Sequence, residues 1–361
     1  MNGRELTVKN IAHLCTGAMF VSCTIERDGC LYYRDLAIEL LQNSARAPLL
    51  IAADQFDPAA TTAAIGFVNM GFMISEVIPV GDEFETALSM LQDRLTASVA
   101  GIYPLAAASL NAMVPVYVAM RSGIPLIDVD PMGRVFPLLS LTTLALAGLS
   151  AGPIGLSGVT GESAVVDVRS PFRAERIVRA LAGEMGGWVA TASYPVTADA
   201  LVRFGVLGSV SRLIEIGQIL DASRPTQTKY AALSTLLGIR RVIRARVVEV
   251  EGLSGPTGPS LPDRPSSVTL VDELQGRIIR LEMQNEIQLM LVDGDIHAGL
   301  PDIITLTRPE DAAVAGLEDL WVGNKLDIIS FPAAPQWYTP EGQAIVEPAT
   351  RLPADSRRTA R

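Results

Sequence analysis

The sequence predicts an α/β amino-terminal domain joined to a mixed α+β carboxy-terminal domain that finishes in a β-rich sheet or partial barrel. Short apolar runs alternate with helical patterns over the first 165 residues, and a capped helix followed by two more helical patterns comes next. Beyond Arg241 strand-like runs separated by turn residues take over, with little helical periodicity among them. A length of 361 residues fits two such domains. Their bounds are 1–165 and 166–350, with a polar, basic tail over 351–361.

Residues 49–53 form a short apolar run closed by Asp54, which reads as a strand ending in a loop. A second apolar run follows at 64–68, and Asp82 is placed to cap a helix whose Phe84, Leu88, Leu91 and Leu95 share one face. Residues 99–103 read as a strand stopped by Pro104, 111–121 as a helix, and 124–129 as a strand entered through Pro125. Ser170 followed by Pro171 opens a helix with Ile177, Val178, Leu181 and Met185 on one side, and Gly186 and Gly187 stop it. The stretch 161–170 is the domain boundary. Residues 188–194 then read as a strand ended by Pro195, and 208–238 as two helices. The β-rich runs are 242–250, 267–271, 277–283, 287–292 and 326–331, with an exposed Pro- and Gly-rich loop over 255–265.

Composition removes several function classes. Apolar residues make up 49% of the chain and charged ones 19%, the balance of a chain that buries a large core and is not disordered as a whole. The net charge of -10 argues against a nucleic-acid groove, which draws on clustered Lys and Arg. Uncharged runs at 95–120 and 135–161 exceed the roughly 20 residues that span a bilayer. The first nevertheless contains Pro104, Asn111 and Pro115, and the second is dense in Ser, Thr, Gly and Pro, so both read as buried α/β elements and no membrane association is expected. With only His13, His297, Cys15, Cys23 and Cys30 available, the usual zinc spacings are excluded and a His-centred triad is disfavoured. Three cysteines without a convincing secretion signal predict a reducing, cytoplasmic location. A lipoprotein signal ending at Cys23 is opposed by Glu5 in its leader and His13 in its apolar stretch.

The densest chemistry lies at Asp128, Asp130, Gly133 and Arg134. Two carboxylates at i and i+2 beyond an apolar strand project into the crevice at the strand's carboxyl edge, where open α/β sheets bind ligands. Gly133 permits close backbone approach, Arg134 can clamp an anion or pair with an Asp, and either carboxylate can serve as general base toward water. The competing reading is that both aspartates cap the following elements. Asn111 either bonds nearby backbone or presents its amide to a ligand. Glu76 faces a cleft or lies on an exposed strand face, and Asn285 and Glu286 read first as turn chemistry. The cysteines read as packing residues, and no cofactor is assigned, since Asp-x-Asp alone does not define a metal site.

Taken together these segments resemble the S-methyl-thiohydantoin desulfurase family, long listed as of unknown function and often found beside hydantoinase-type enzymes. The resemblance rests on NAMVP at 111–115 and GIPLIDVDPMGRVFP at 123–137. AER at 174–176, MGG at 185–187, SYP at 193–195, QNE at 284–286, PDII at 301–304 and PQW at 335–337 add to it, so that it spans about Leu6 to Pro348. It implies a hydrolase of small five-membered imide-like rings. Water would attack the ring carbon bearing a methylthio group and methanethiol would leave, with Asp128 or Asp130 as base, and Asn111 and Arg134 steadying charge. Beside these, Gly133 and Glu76 from their own chemistry, with Asp28 and Glu286, complete the expected substrate-binding set. Three departures stand out. SCTIERD at 22–28 replaces a glycine run and keeps only Asp28, Ala106 replaces an acid, and no aromatic-glycine segment follows Pro348.

Two functions follow. One is a hydrolase of hydantoin metabolism acting on a cyclic amide or thioamide through a divergent active site. The other is a non-catalytic relative that binds a metabolite or completes a hetero-oligomer. A small-molecule ligand is the expected partner in both, with a homo-oligomer or a hydantoinase-type protein as a further one.

Overall fold

A computed structural model of the chain describes residues 3–23, 27–43, 46–69, 77, 79–252, 265–283, 286–316 and 319–349. Glu76, Asn285, most of the 255–265 loop and the 351–361 tail therefore lie outside the described residues.

The amino-terminal domain is α/β and is built on an eight-stranded mixed sheet. In spatial order its strands are Arg4–Glu5, Leu49–Ile51, Leu126–Ile127, Gly101–Pro104, Thr61–Asn69, Trp188–Thr197, Ile154–Gly158 and Ser163–Val166. The four from 49–51 to 61–69 are mutually parallel; strands 4–5 and 188–197 beside them run antiparallel, and beyond these 154–158 pairs antiparallel with 188–197 and 163–166 antiparallel with 154–158. Parallel strands are covered on both faces, which explains the near-continuous apolar runs. One face packs on helices Val8–Ser22, Arg27–Asn43, Glu83–Gln92 and Ser109–Ser122. The other face carries Tyr103, Leu156 and Tyr194 under the segment that follows Asp130 and helix Pro171–Glu184. Strand 188–197 enters this sheet although the chain has by then passed residue 165.

Several element ends have local causes that pattern reading cannot supply. Helix 8–22 starts at a reciprocal Thr7–Asn10 capping box. Asp82 stands at the start of helix 83–92 without a side-chain cap; the Glu83 carboxylate instead accepts the Val80 amide at 2.6 Å and the Gly81 amide at 2.8 Å. That helix ends at Gln92, so Leu95 lies beyond it. Pro195 does not end its strand, because it sits within an irregularity of register where Tyr194 adopts φ 46° and no ladder N–H is required.

The carboxy-terminal region supplies helices Ala198–Phe204, Ser209–Asp221 and Thr226–Leu237, then a curled seven-stranded antiparallel half-barrel. Its spatial order is Asp295–Gly299, Ile287–Val292, Ile278–Met283, Pro265–Asp272, Arg241–Gly252, Lys325–Phe331 and Ile303–Thr307. Strand 241–252 shows why an antiparallel sheet forms: Ile243, Ala245 and Val247 point inward while Arg244 and Arg246 point outward. Helices 8–22 and 209–221 lock the two parts together at a crossing of glycines. A Cβ on Gly17 would stand 2.0 Å from the Leu213 carbonyl oxygen, and one on Gly217 1.9 Å from that of His13. Among the described residues no helix is long and apolar enough to cross a membrane.

Candidate functional site

The site is built where the parallel strands 101–104 and 126–127 end. Residues 105–108 lead from the first into helix 109–122, and the second bends at Asp128 before a two-residue strand, Val129–Asp130, pairs with Val206–Leu207. The bend separates the two aspartates. In a regular strand i and i+2 share a face, but here they serve different neighbours.

Asp128 holds the start of helix 209–221. Its Oδ1 accepts the Ser211 amide at 3.0 Å, its Oδ2 the Ser211 hydroxyl at 2.6 Å, and its carbonyl the Gly208 amide at 2.9 Å. The first-turn N–H groups of a helix lack internal partners, and a carboxylate satisfies them while complementing the helix dipole.

Asp130 is fully buried and organises the turn that follows it. Its Oδ2 accepts amides from Ala107 at 3.0 Å, Met132 at 3.0 Å and Gly133 at 2.7 Å. Its Oδ1 has no hydrogen-bond partner among the described residues. Burial raises its pKa from the ordinary aspartate value, against the downward pull of the three amides and the nearby Ser209 hydroxyl. Gly133 closes the turn with φ +65°, where a Cβ would also stand 3.1 Å from Ala334 Cβ.

Arg134 spans the two parts of the molecule. Its buried guanidinium lies 4.6 Å from the centre of the Phe136 ring. It donates to the carbonyls of Val135 at 2.9 Å and Asp302 at 2.9 Å, and to that of Pro301. Its Nη2 is 4.0 Å from Glu286 Oε1. Neither Glu286 oxygen accepts a hydrogen bond among the described residues. Burial lifts the Glu286 pKa to about 7, while Arg134 and the adjacent Gln288 amide pull it back toward its usual range. The same burial lowers the Arg134 pKa to about 10, with Glu286 the first of the charges that oppose it.

Around this pair the segments at 131–137, 301–304 and 335–337 meet. Trp337 donates its indole N–H to the Met132 carbonyl at 2.7 Å and packs edge-on against Phe136 with ring centres 4.8 Å apart. Asp302 accepts from Arg240 at 2.6 Å and from the Tyr338 hydroxyl.

Asn111, in the first turn of helix 109–122, accepts the Phe67 amide through its Oδ1 at 3.2 Å. Asp28 is exposed at the start of helix 27–43, whose Gly29 packs on Leu110. No hydrogen bond or ion pair among the described residues joins Asp28 to Asn111, Asp130 or Arg134. Ala106 is buried in the core beneath the sheet, and it is the backbone beside it that meets Asp130. Ser209, Ser211 and the 301–302 carbonyls escaped the sequence reading, since small polar residues and backbone oxygens leave no pattern. Among the described residues no group of three or more His, Cys, Asp or Glu side chains is arranged to hold a metal ion.

Fold and site thus define an α/β protein ending in a β half-barrel, with a buried acidic turn at the carboxyl edge of its parallel strands and an Arg–Glu pair between its amino-terminal and carboxy-terminal parts. The S-Me-THD-like N-terminal domain model matches residues 9–168 and the S-Me-THD-like C-terminal domain model residues 169–350, so the chain belongs to the S-methyl-thiohydantoin desulfurase-like family. A crystal structure of a protein from Chromobacterium violaceum, from the Northeast Structural Genomics Consortium, shares the fold. It superposes with a TM-score of 0.76 over 97% of this chain and 98% of that one, at 19% sequence identity. No curated protein matches.

Proposed function

We propose that the chain is a hydrolase of small cyclic amides or thioamides such as an S-methyl-thiohydantoin, with a carboxylate assisting the attack of water. The observation that carries this reading is Asp130, whose one oxygen is fixed by three backbone amides while the other has no partner among the described residues. A carboxylate held in one orientation, and made more basic by burial, is suited to taking a proton from water as its oxygen attacks the ring carbon. The carbon–sulfur bond then breaks, the sulfur leaves as methanethiol, and a hydantoin remains. Asp128 positions this base indirectly, by seating the helix that carries Ser209. Arg134, Glu286, Gly133 and Asn111 are the proposed ring-binding groups, with Asp28 at the exposed periphery.

A second reading, a non-catalytic binder or hetero-oligomer subunit, draws on two observations. Asp130 has no exposed surface, and Ala106 stands buried where the resemblance leads one to expect an acid.

Thiol release from S-methyl-thiohydantoins, followed with a thiol-reactive chromophore, separates the two. Turnover by the wild-type chain is expected, with a loss of at least about a hundredfold in Asp130→Asn, the lower bound usual for removing a general base. Asparagine keeps an acceptor for the three amides, so the variant is expected to fold. Hydantoins or their thio forms that raise the melting temperature without any release of thiol would establish the second reading instead.

A further inference from the structure

Cys15 and Cys30, which read from sequence as packing residues, are brought together. Cys15 lies in helix 8–22 and Cys30 in the next helix, 27–43, yet their sulfurs stand 3.4 Å apart. The Cys15 thiol also points at the Cys30 carbonyl, 3.7 Å away. Both are buried and neither is in a disulfide. A disulfide bond is about 2.05 Å long, so the sulfurs need to close by little more than one ångström.

A second observation bears on reactivity. Arg34, one turn beyond Cys30, interacts electrostatically with both sulfurs. Its hydrogen bond to Asp35 does most to keep it charged, burial works against this, and the charge interactions with Cys15, Asp35 and Cys30 add to it. A guanidinium beside the two sulfurs attracts the negative charge that a sulfur carries when it attacks an oxidant. The Arg34 side chain is 32% exposed, whereas both sulfurs belong to buried residues.

We propose that Cys15 and Cys30 are a reversible redox pair, closed into a disulfide by oxidants of the peroxide class. One thiolate attacks a peroxide oxygen; the O–O bond breaks, hydroxide departs and a sulfenic acid forms. The second thiol attacks that sulfur, the S–S bond forms and water leaves. Two electrons pass from the thiols to the peroxide, and a dithiol reductant returns them. The bond ties the first helix to the start of the second, beside the Gly29–Leu110 contact and hence next to Asn111. Cys23 is the internal control, because its sulfur faces the Ala315 carbonyl at 3.9 Å in the carboxy-terminal region.

The test treats the reduced full-length chain with hydrogen peroxide under native conditions, alkylates it after denaturation and maps the peptides by mass spectrometry. A Cys15–Cys30 cross-linked peptide is expected, with loss of two hydrogens from the intact mass, alkylated Cys23 and full reversal by dithiothreitol. In Arg34→Gln the link is expected to form several-fold more slowly. Alkylation of all three cysteines after treatment overturns the proposal, as does oxidation of Cys15 or Cys30 to a sulfinic acid without a link.

Discussion

Arg134→Met is expected to cost about 3–5 kcal/mol of folding stability at pH 8, the range found when one member of a buried ion pair is removed. The substitution keeps much of the side-chain volume. It strips donors from the Val135, Pro301 and Asp302 carbonyls and leaves the Glu286 carboxylate without its cation. The loss depends on pH in a definite direction. Folding raises the Glu286 pKa from 4.5 to about 7, so the folded state binds this proton more tightly than the unfolded chain does. In the wild type the stability associated with that proton is complete below about pH 4.5 and falls as pH rises toward 7. The gap between the two pKa values corresponds to roughly 3 kcal/mol. Without Arg134 the folded-state pKa climbs further, so the variant's deficit is larger at pH 8 than at pH 6, where the carboxyl is mostly neutral in both proteins. Urea unfolding at the two pH values checks this. An equal deficit at both would show that Glu286 carries no uncompensated charge.

Gly217→Ala has the next largest expected effect, a loss of at least about 3 kcal/mol, the upper end of what overpacking costs. The new methyl group would stand 1.9 Å from the His13 carbonyl oxygen and 2.5 Å from its carbon, so helices 8–22 and 209–221 must separate to admit it. Alanine favours a helix over glycine by about 1 kcal/mol, which offsets only part of the clash. Gly29→Ala is the control. It lies in helix 27–43, and its added carbon meets Leu110 at an ordinary 3.4 Å, so stability is expected to stay within about 1 kcal/mol of wild type. Thermal or urea unfolding of the two variants measures the contrast, and similar behaviour would mean that the helix crossing tolerates a wider spacing.

Much of the fold was legible in the chain. Apolar runs bounded by turn residues located most strands of the parallel core, and the Ser170–Pro171 start is the observed helix start, with the Ser170 hydroxyl accepting the Arg173 amide. The short β-rich runs separated by turn residues beyond Arg241 announced the half-barrel. Other features were hidden because their cause is remote in sequence. Helices 8–22 and 27–43 gave no reading, since their glycines and cysteines make sense only against helix 209–221 and against each other. Strands 295–299 and 303–307 are short and were overlooked between stronger runs.

The candidate site divides in the same way. The residue types and their place at a strand's carboxyl edge were set by local sequence: Asp128, Asp130, Gly133 and Arg134 sit where the apolar run stops and a turn begins. Which partner each one meets was decided by packing between segments about 20 to 170 residues apart. A bend at Asp128 sends that carboxylate to Ser211, the amide of Ala107 reaches Asp130 from the neighbouring strand's loop, and the guanidinium of Arg134 crosses to the 301–302 carbonyls and Glu286. Hydrophobic patterning encodes which face of an element is buried, because that choice repeats every two or 3.6 residues. A hydrogen bond or ion pair between distant segments has no such period, so only the assembled tertiary structure specifies it.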